Sequence, residues 1–512
     1  MKRLILSLVS LVLGIWLCLY IFSCSATEML TQESIQKIEN INDDVTGTAK
    51  LTHQGNEGDI ILQAFAWRSQ WNGQFGQWYN GISNMALQLS NDGFTVLWFP
   101  PPGKTIRSNL GDHGDYTSAC GYMPLDYRDY GLYQQWVMDG GTKTWYQHAS
   151  TKTLYGSVSE LRACISNLHR KGIKVLADVV INHRAGRQTN GQGEWCCWGD
   201  NLGQVSSGYM VWGKNDNNPQ QILNESGGSG GYEGTWSYGG RTYNNQSTGY
   251  ASEISHWNSA ARSDILAYVL DLKNYCGFDG MRMDMVKGYD PYYVGMYSDY
   301  MGSYMTVGEW YEYNNPQALY DYVNRTGQST EYASANDGKS LVFDFYLKGT
   351  LTMAVKNQDF SGLNGIVFGW PRAAVTFVDN HDTGQSAGGV GQAHNPIEDG
   401  VNDMRNRIQA YAIILSHPGI PCVYWYHYND CGSELKTFIT NMIKWRKSEG
   451  IIATSIYKLY SKGNGYYSAY ITNNVAGQGL CIAVGTGNTW SGPGTGWTQV
   501  YNNYYTRIWR KD

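Results

Sequence analysis

Eight short apolar runs, spaced widely enough to leave room for helices between them, dominate the chain from Asp59 to about residue 450. They are IILQAF from Ile60, TVLWFP from Thr95, KVLADVV from Lys174, FDGMRMD from Phe278, MTVGE from Met305, SLVFDF from Ser340, AVTFVDNH from Ala374 and PCVYW from Pro421. Amphipathic stretches such as SELRACISNLHRKG from Ser159 and RSDILAYVLDLKNY from Arg262 lie between several of them. Strands covered on both faces read as continuous apolar runs, and strand–helix alternation is what a parallel sheet requires. Eight repeats of the unit predict an α/β fold, a closed (β/α)8 TIM barrel, over residues 59–183 and 256–450.

The rhythm breaks once, after the third run, where residues 184–255 are rich in Gly, Asn, Ser and Trp. Long structureless connections are uncommon in compact domains, so this stretch reads as an inserted subdomain on the face where barrel strands end. From residue 451 onward, short Tyr- and Thr-containing runs alternate with Gly-rich turns (KGNGYYSAYITNN, GQGLCIAVGTGN), which predicts a C-terminal antiparallel β domain over 451–512.

At the other end, Lys2 and Arg3 precede an apolar run from Leu4 to Phe22 that ends at Ser23, Cys24 and Ser25. The pattern reads as an export signal over residues 1–24. Small Ser23 before Cys24 is similar to a bacterial lipobox, in which Cys24 becomes the lipidated first residue, although Phe22 is bulkier than that pattern usually carries. An ordinary signal peptide and a retained anchor are the alternatives, and membrane retention of a Cys24→Ser variant separates them. Residues 25–58 are polar and aperiodic and read as a tether. The expected location is therefore secreted, or at the cell surface, outer membrane or periplasm as a lipoprotein, with Cys24 the only link to a membrane.

The 512 residues carry a formal charge of −5 with no Lys/Arg-rich run after the first residues, so nucleic acid is not an expected partner. Tyr (40) and Trp (19) outnumber Phe (12), giving many rings a polar handle suited to sugar faces, although most such rings pack in cores. Eight cysteines follow Cys24 with no CxxC pair, and their pairing is not legible.

Reactive groups of a barrel sit at the C-terminal ends of its strands. Here Asp178, Asn182 and His183 end run three, Arg282 and Asp284 run four, Glu309 run five, and His381 with Asp382 run seven. A single strand-end Asp is most simply a helix cap, but four polar ends converging on one mouth do not reduce to capping.

These strings (DVVINH, GMRMDMVKG, VGEW, FVDNHD) resemble the four short motifs of the alpha-amylase family, in the order in which that family has them. The resemblance extends to ILQAFAW, VLWFPPP, GYMPLDY and GIPCVYW, and it is closest to the plant and archaeal type because Gly288 and Tyr289 follow Lys287. It implies a retaining alpha-amylase acting on internal alpha-1,4 bonds of glucan. Asp284 would be the nucleophile, Glu309 the acid and base, and Asp382 the third carboxylate that grips hydroxyls and steadies the charged transition state. For Glu309 to serve as acid its pKa must be raised, whereas Arg282 can hold Asp284 ionised. By the same resemblance His183 and His381 would hydrogen-bond the sugar, Tyr122 would stack on it, and Lys287 would meet the leaving-group side.

The resemblance also implies a calcium ion between barrel and insert, a hard cation suited to oxygen donors. Asn182, Glu253 and the carbonyl of Gly288 would be ligands, with Asp200 and Asp216 candidates for another. No counterpart of a zinc-binding histidine pair is found. The enzyme is expected to be a monomer. An exo-acting maltooligosaccharide-forming enzyme of the same family is the alternative, since loops set the subsites. A catalytically dead glucan-binding protein is disfavoured, because Arg282, Asp284, Glu309 and Asp382 are all present.

Overall fold

The structure, a computed structural model, describes residues 54–67, 76–105, 121–122, 124–131, 136–138, 145–147, 152–184, 187–190, 193–196, 223–224, 234–246, 252–257, 259–328, 338–385, 394–473 and 478–512. The run Leu4–Phe22, Cys24, residues 25–53, Asp200, Asp216 and the Glu253 side chain lie outside these residues.

All eight apolar runs form strands: β1 (Ile61–Gln63), β2 (Val96–Trp98), β3 (Lys174–Val179), β4 (Gly280–Met283), β5 (Thr306–Gly308), β6 (Leu341–Phe343), β7 (Ala374–Phe377) and β8 (Ile420–Tyr424). They close into a barrel in the order β1-β8-β7-β6-β5-β4-β3-β2, every pair parallel, with β1 sealed by Ile61 opposite Cys422 and opposite Val96. Every residue of seven of these strands is buried; in β3 all but Lys174 are. This is why they read as unbroken apolar runs rather than alternating ones.

Eight helices of the described residues are α1 (Trp78–Asp92), α2 (Val158–Arg170), α3 (Ser259–Asp271), α4 (Pro291–Met301), α5 (Pro316–Gly327), α6 (Phe345–Asn357), α7 (Asp403–Ser416) and α8 (Ser433–Ser448). Local chemistry sets their starts. At α2, Ser157 Oγ accepts from Glu160 N (3.3 Å) while Glu160 Oε2 accepts from Ser157 N (2.8 Å), a reciprocal cap. Helices α4 and α5 begin with Pro, capped by Asp290 and Asn315. Asp344, at the end of β6, accepts from Leu347 N and Val367 N, so this strand-end acid is a cap.

Residues 54–58, expected to belong to the tether, are instead bonded to the base of the barrel. Gln54 Oε1 accepts from Thr306 N (2.9 Å), Gly55 N donates to Tyr304 O (2.6 Å), and Glu57 O accepts from Ala453 N (2.8 Å). Polar side chains and free backbone groups find partners at strand starts, which hydropathy cannot reveal.

The insert carries short antiparallel pairings. Ser252–Ile254 bridges Leu223–Asn224 and His183–Arg184, Arg187–Asn190 pairs with Gly193–Cys196, and Thr235–Tyr238 pairs with Arg241–Asn244. A second excursion leaves after β2, with strand pairs Lys104–Thr105/Pro124–Asp126 and Trp136–Met138/Trp145–Gln147. The C-terminal domain is a five-stranded antiparallel sheet of β9 (Ile456–Gly463), β10 (Tyr466–Thr472), β11 (Gly479–Val484), β12 (Trp497–Asn503) and β13 (Thr506–Lys511), in the order β9-β10-β11-β13-β12. It packs on α7 through β11 and β13. Trp509 is buried over Cys481 and Ala483, and so serves as packing. Cys164, Cys276, Cys422, Cys431 and Cys481 are free thiols.

Candidate active site

Strands β3, β4, β5 and β7 deliver Asp178, Arg282, Asp284, Glu309 and Asp382 to one mouth. Arg282, near the C-terminal end of strand β4 and fully buried, organises it. Its Nη1 donates to Asp178 Oδ1 (2.8 Å) and to Asp284 Oδ1 (2.7 Å). Its Nη2 lies 2.7 Å from Glu309 Oε1, an ion-pair contact without hydrogen-bond alignment. The guanidinium also lies over the ring of Trp98, 4.8 Å from the centroid. One buried cation thus faces three carboxylates, which is how acids of like charge can share a site.

Asp178 is used up by this scaffold: besides Arg282 it accepts from Trp98 Nε1 (2.9 Å) and the Tyr122 hydroxyl (2.6 Å). Burial raises its pKa to about 6, with Arg282 opposing. Glu309 is held by its neighbours' backbone. Its Oε2 accepts from Met285 N (3.1 Å), and its own N–H donates to Met283 O. Met285 adopts a left-handed conformation (φ 45°), a strained geometry for a non-glycine residue that aims its N–H at Glu309. Burial pushes the Glu309 carboxyl well above the usual range; Arg282 opposes this, and Asp284 and Asp382 add to it. Asp382 keeps 27% of its side chain exposed in the mouth, and its pKa rises to about 7, chiefly through burial.

His381 stands beside Asp382, its Nε2 3.3 Å from Oδ2. The Gln63 amide nitrogen meets Nδ1 (2.9 Å), which puts the ring proton on Nε2. Burial and Arg282 hold this imidazole neutral. Tyr122 stacks on it at 4.8 Å with planes 10° apart, and Trp67 packs against both. His183 is buried with Nε2 2.8 Å from Tyr122 O, so it reaches the mouth through Tyr122. Lys287 donates to Glu312 Oε2 (3.0 Å) beside Trp310. The insert walls this side: Trp236 stacks on Tyr243 and meets Trp310 edge-on. Arg241 and Tyr243 both bond Asp321 of α5.

Asn182 and Gly288 lie side by side. The backbone at Gly288 lies so close to Asn182 that a Cβ there would fall 1.6 Å from Oδ1. Asn182 O accepts from Ile254 N, and Glu253 pairs with His183, so the insert's return strand adjoins the same spot.

A sequence profile described as the alpha-amylase catalytic domain matches residues 145–342. The solved alpha-amylase of Geobacillus thermoleovorans, complexed with acarbose, superposes with a TM-score of 0.59 at 13% identity, covering 90% of this chain and 99% of that one. A probable alpha-amylase of Arabidopsis thaliana is 28% identical over 91% of this chain and 97% of its own length. A glucan 1,4-alpha-maltotetraohydrolase of Roseateles saccharophilus is 30% identical over 90% of this chain and 74% of its own. The chain belongs to the alpha-amylase family. It is a glycoside hydrolase.

Several groups at this mouth were not singled out from sequence. Trp310 closes the Glu309 motif and Glu312 lies two residues beyond it, and both could have been proposed from that adjacency. Gln63, Trp98 and Trp236 could not, because their strings read as ordinary strand or insert sequence.

Proposed function

We propose that the protein hydrolyses internal alpha-1,4 bonds of starch- or glycogen-type glucan with retention of configuration, using Asp284, Glu309 and Asp382. The observation that carries the reading is the Arg282 guanidinium bonded to Asp284 and in contact with Glu309, two carboxyls with opposite protonation needs in one pocket. Asp284, charge-balanced by Arg282, attacks the anomeric carbon as Glu309 gives its proton to the departing glycosidic oxygen. Water then releases the sugar as Glu309 takes a proton back. The raised Glu309 pKa keeps it protonated for the first step.

Asp382 and the Nε2–H of His381 would take sugar hydroxyls, and Tyr122 with Trp67 would form an aromatic wall. His183 would act by holding the Tyr122 carbonyl, and Lys287 with Trp310 would line the leaving-group side. Calcium, when bound, would supply a fixed positive centre joining Asn182 and the Gly288 carbonyl to the Glu253 strand, so that the insert keeps its place.

Exo action is favoured by one observation, the 30% and 29% identity to relatives named maltotetraohydrolases. Product analysis on soluble starch separates the two. A random ladder of oligosaccharides supports endo cleavage, whereas one short product from the first minutes supports exo action. Asp284→Asn and Glu309→Gln are expected to lower turnover by about 10³-fold or more while glucan still binds; near-normal turnover in either rejects the assignment.

A further inference from the structure

Behind the turn that carries His381 and Asp382 lies a chain of buried charges. Lys348 of α6, with no exposed surface, places Nζ 2.5 Å from Asp379 Oδ1. The same ammonium donates to Thr352 Oγ1 (2.9 Å) and to the carbonyl of Asn395 (2.8 Å). Asp379 Oδ1 also accepts from the Thr383 hydroxyl (2.9 Å) and Oδ2 from Ile397 N (3.0 Å). Beyond it, His427 has Nε2 3.9 Å from Asp379 Oδ2 and 2.8 Å from Glu398 Oε1, and Glu398 pairs with Arg407 of α7 at 2.9 Å. The Tyr411 hydroxyl meets the other nitrogen of His427.

Asp379, Glu398 and His427 bring three ligand atoms within 4.8 Å of one another, a spacing a metal ion could use. The positive charge such an ion would bring is already present, because Lys348 sits on Asp379 and Arg407 on Glu398. The links to Asp379 close on one short turn. Asn380 Oδ1 accepts from the N–H groups of Asp382 (3.0 Å) and Thr383 (2.9 Å), and Asp382 O accepts from His394 N (3.1 Å). The Asp382 carboxylate itself faces the open mouth with His381 as its neighbour. Its direction is therefore set by the backbone of the turn.

We propose that Lys348 and Asp379 are positioning residues whose buried ion pair fixes the 379–384 turn and so aims Asp382 at the reacting sugar. The inference rests on the reading of Asp382 as the third carboxylate. A group acting in the transition state loses rate steeply when displaced by about 1 Å, roughly 10²-fold.

The test compares Lys348→Met, Lys348→Met/Asp379→Asn, Asp379→Asn and Asp382→Asn in the full-length protein, by Tm and by kcat and KM on maltoheptaose. Lys348→Met alone strands a buried carboxylate and is expected to lower Tm. The double variant carries no stranded charge and is expected to melt near wild type. Its kcat should nevertheless fall about 10- to 100-fold with KM changed less than about threefold. A purely structural role would restore kcat together with Tm, so a double variant with wild-type melting and kcat within twofold of wild type overturns the proposal. If the double variant does not fold, Asp379→Asn decides: it keeps the shape and removes the anion of the pair, and unchanged kcat there overturns the proposal equally. Asp382→Asn is the control, since near-normal turnover in that variant rejects the role of Asp382 itself.

Discussion

Glu309 is the residue whose chemistry depends most on its surroundings. Burial raises its pKa, Arg282 pulls it down, and the charges of Asp284 and Asp382 push it up again. Asp382→Asn removes one of the two charges that disfavour ionisation, so Glu309 should lose its proton at lower pH. The residual activity of that variant is expected to show the basic limb of kcat/KM displaced toward acid; an unmoved limb would mean that another group is the acid. The acids themselves were legible because each follows a recognisable strand within a few residues. Their supports were not. Gln63 and Trp98 lie inside strands where any residue reads as packing, and nothing in MRMDMVKG announces the left-handed backbone of Met285. Lys348, Asp379, Glu398 and His427 are scattered from α6 to the turn after β8 and meet only through folding. Tyr122, expected to offer its ring to sugar, stacks one face on His381, a partner that no motif announces.

Among the elements, the eight barrel strands were legible to within a few residues because burial on both faces leaves no alternation to misread. Helix starts are set where a side chain does the capping. Ser157→Ala breaks the reciprocal cap of α2 and is expected to cost about 1 kcal/mol in urea unfolding with kcat unchanged. The antiparallel pairs after β2 were missed, because the stretch between Lys104 and Gln147 is polar, aromatic and turn-rich, with no sustained period. Asp344 shows why strand-end acids must be judged one at a time. It follows β6 as Asp284 follows β4, yet its oxygens are spent on backbone N–H groups of α6 and the turn beyond.

For the molecule as a whole, the insert is fastened to the barrel by Arg241 and Tyr243 on Asp321 and by the strand pairing beside Asn182. If calcium completes that join, a chelator should lower Tm. Gly288→Ala, whose added carbon collides with Asn182 Oδ1, should lower Tm and remove the sensitivity to chelator. A Tm indifferent to chelator in the unaltered protein would count against the ion. At the opposite end, Gln54 and Gly55 bond Thr306 and Tyr304 at the start of β5, and Glu57 bonds Ala453 before the C-terminal sheet, so the polypeptide enters the barrel through its floor. The mouth, at the other ends of those strands, is thereby left clear of this segment for a glucan too large to diffuse freely.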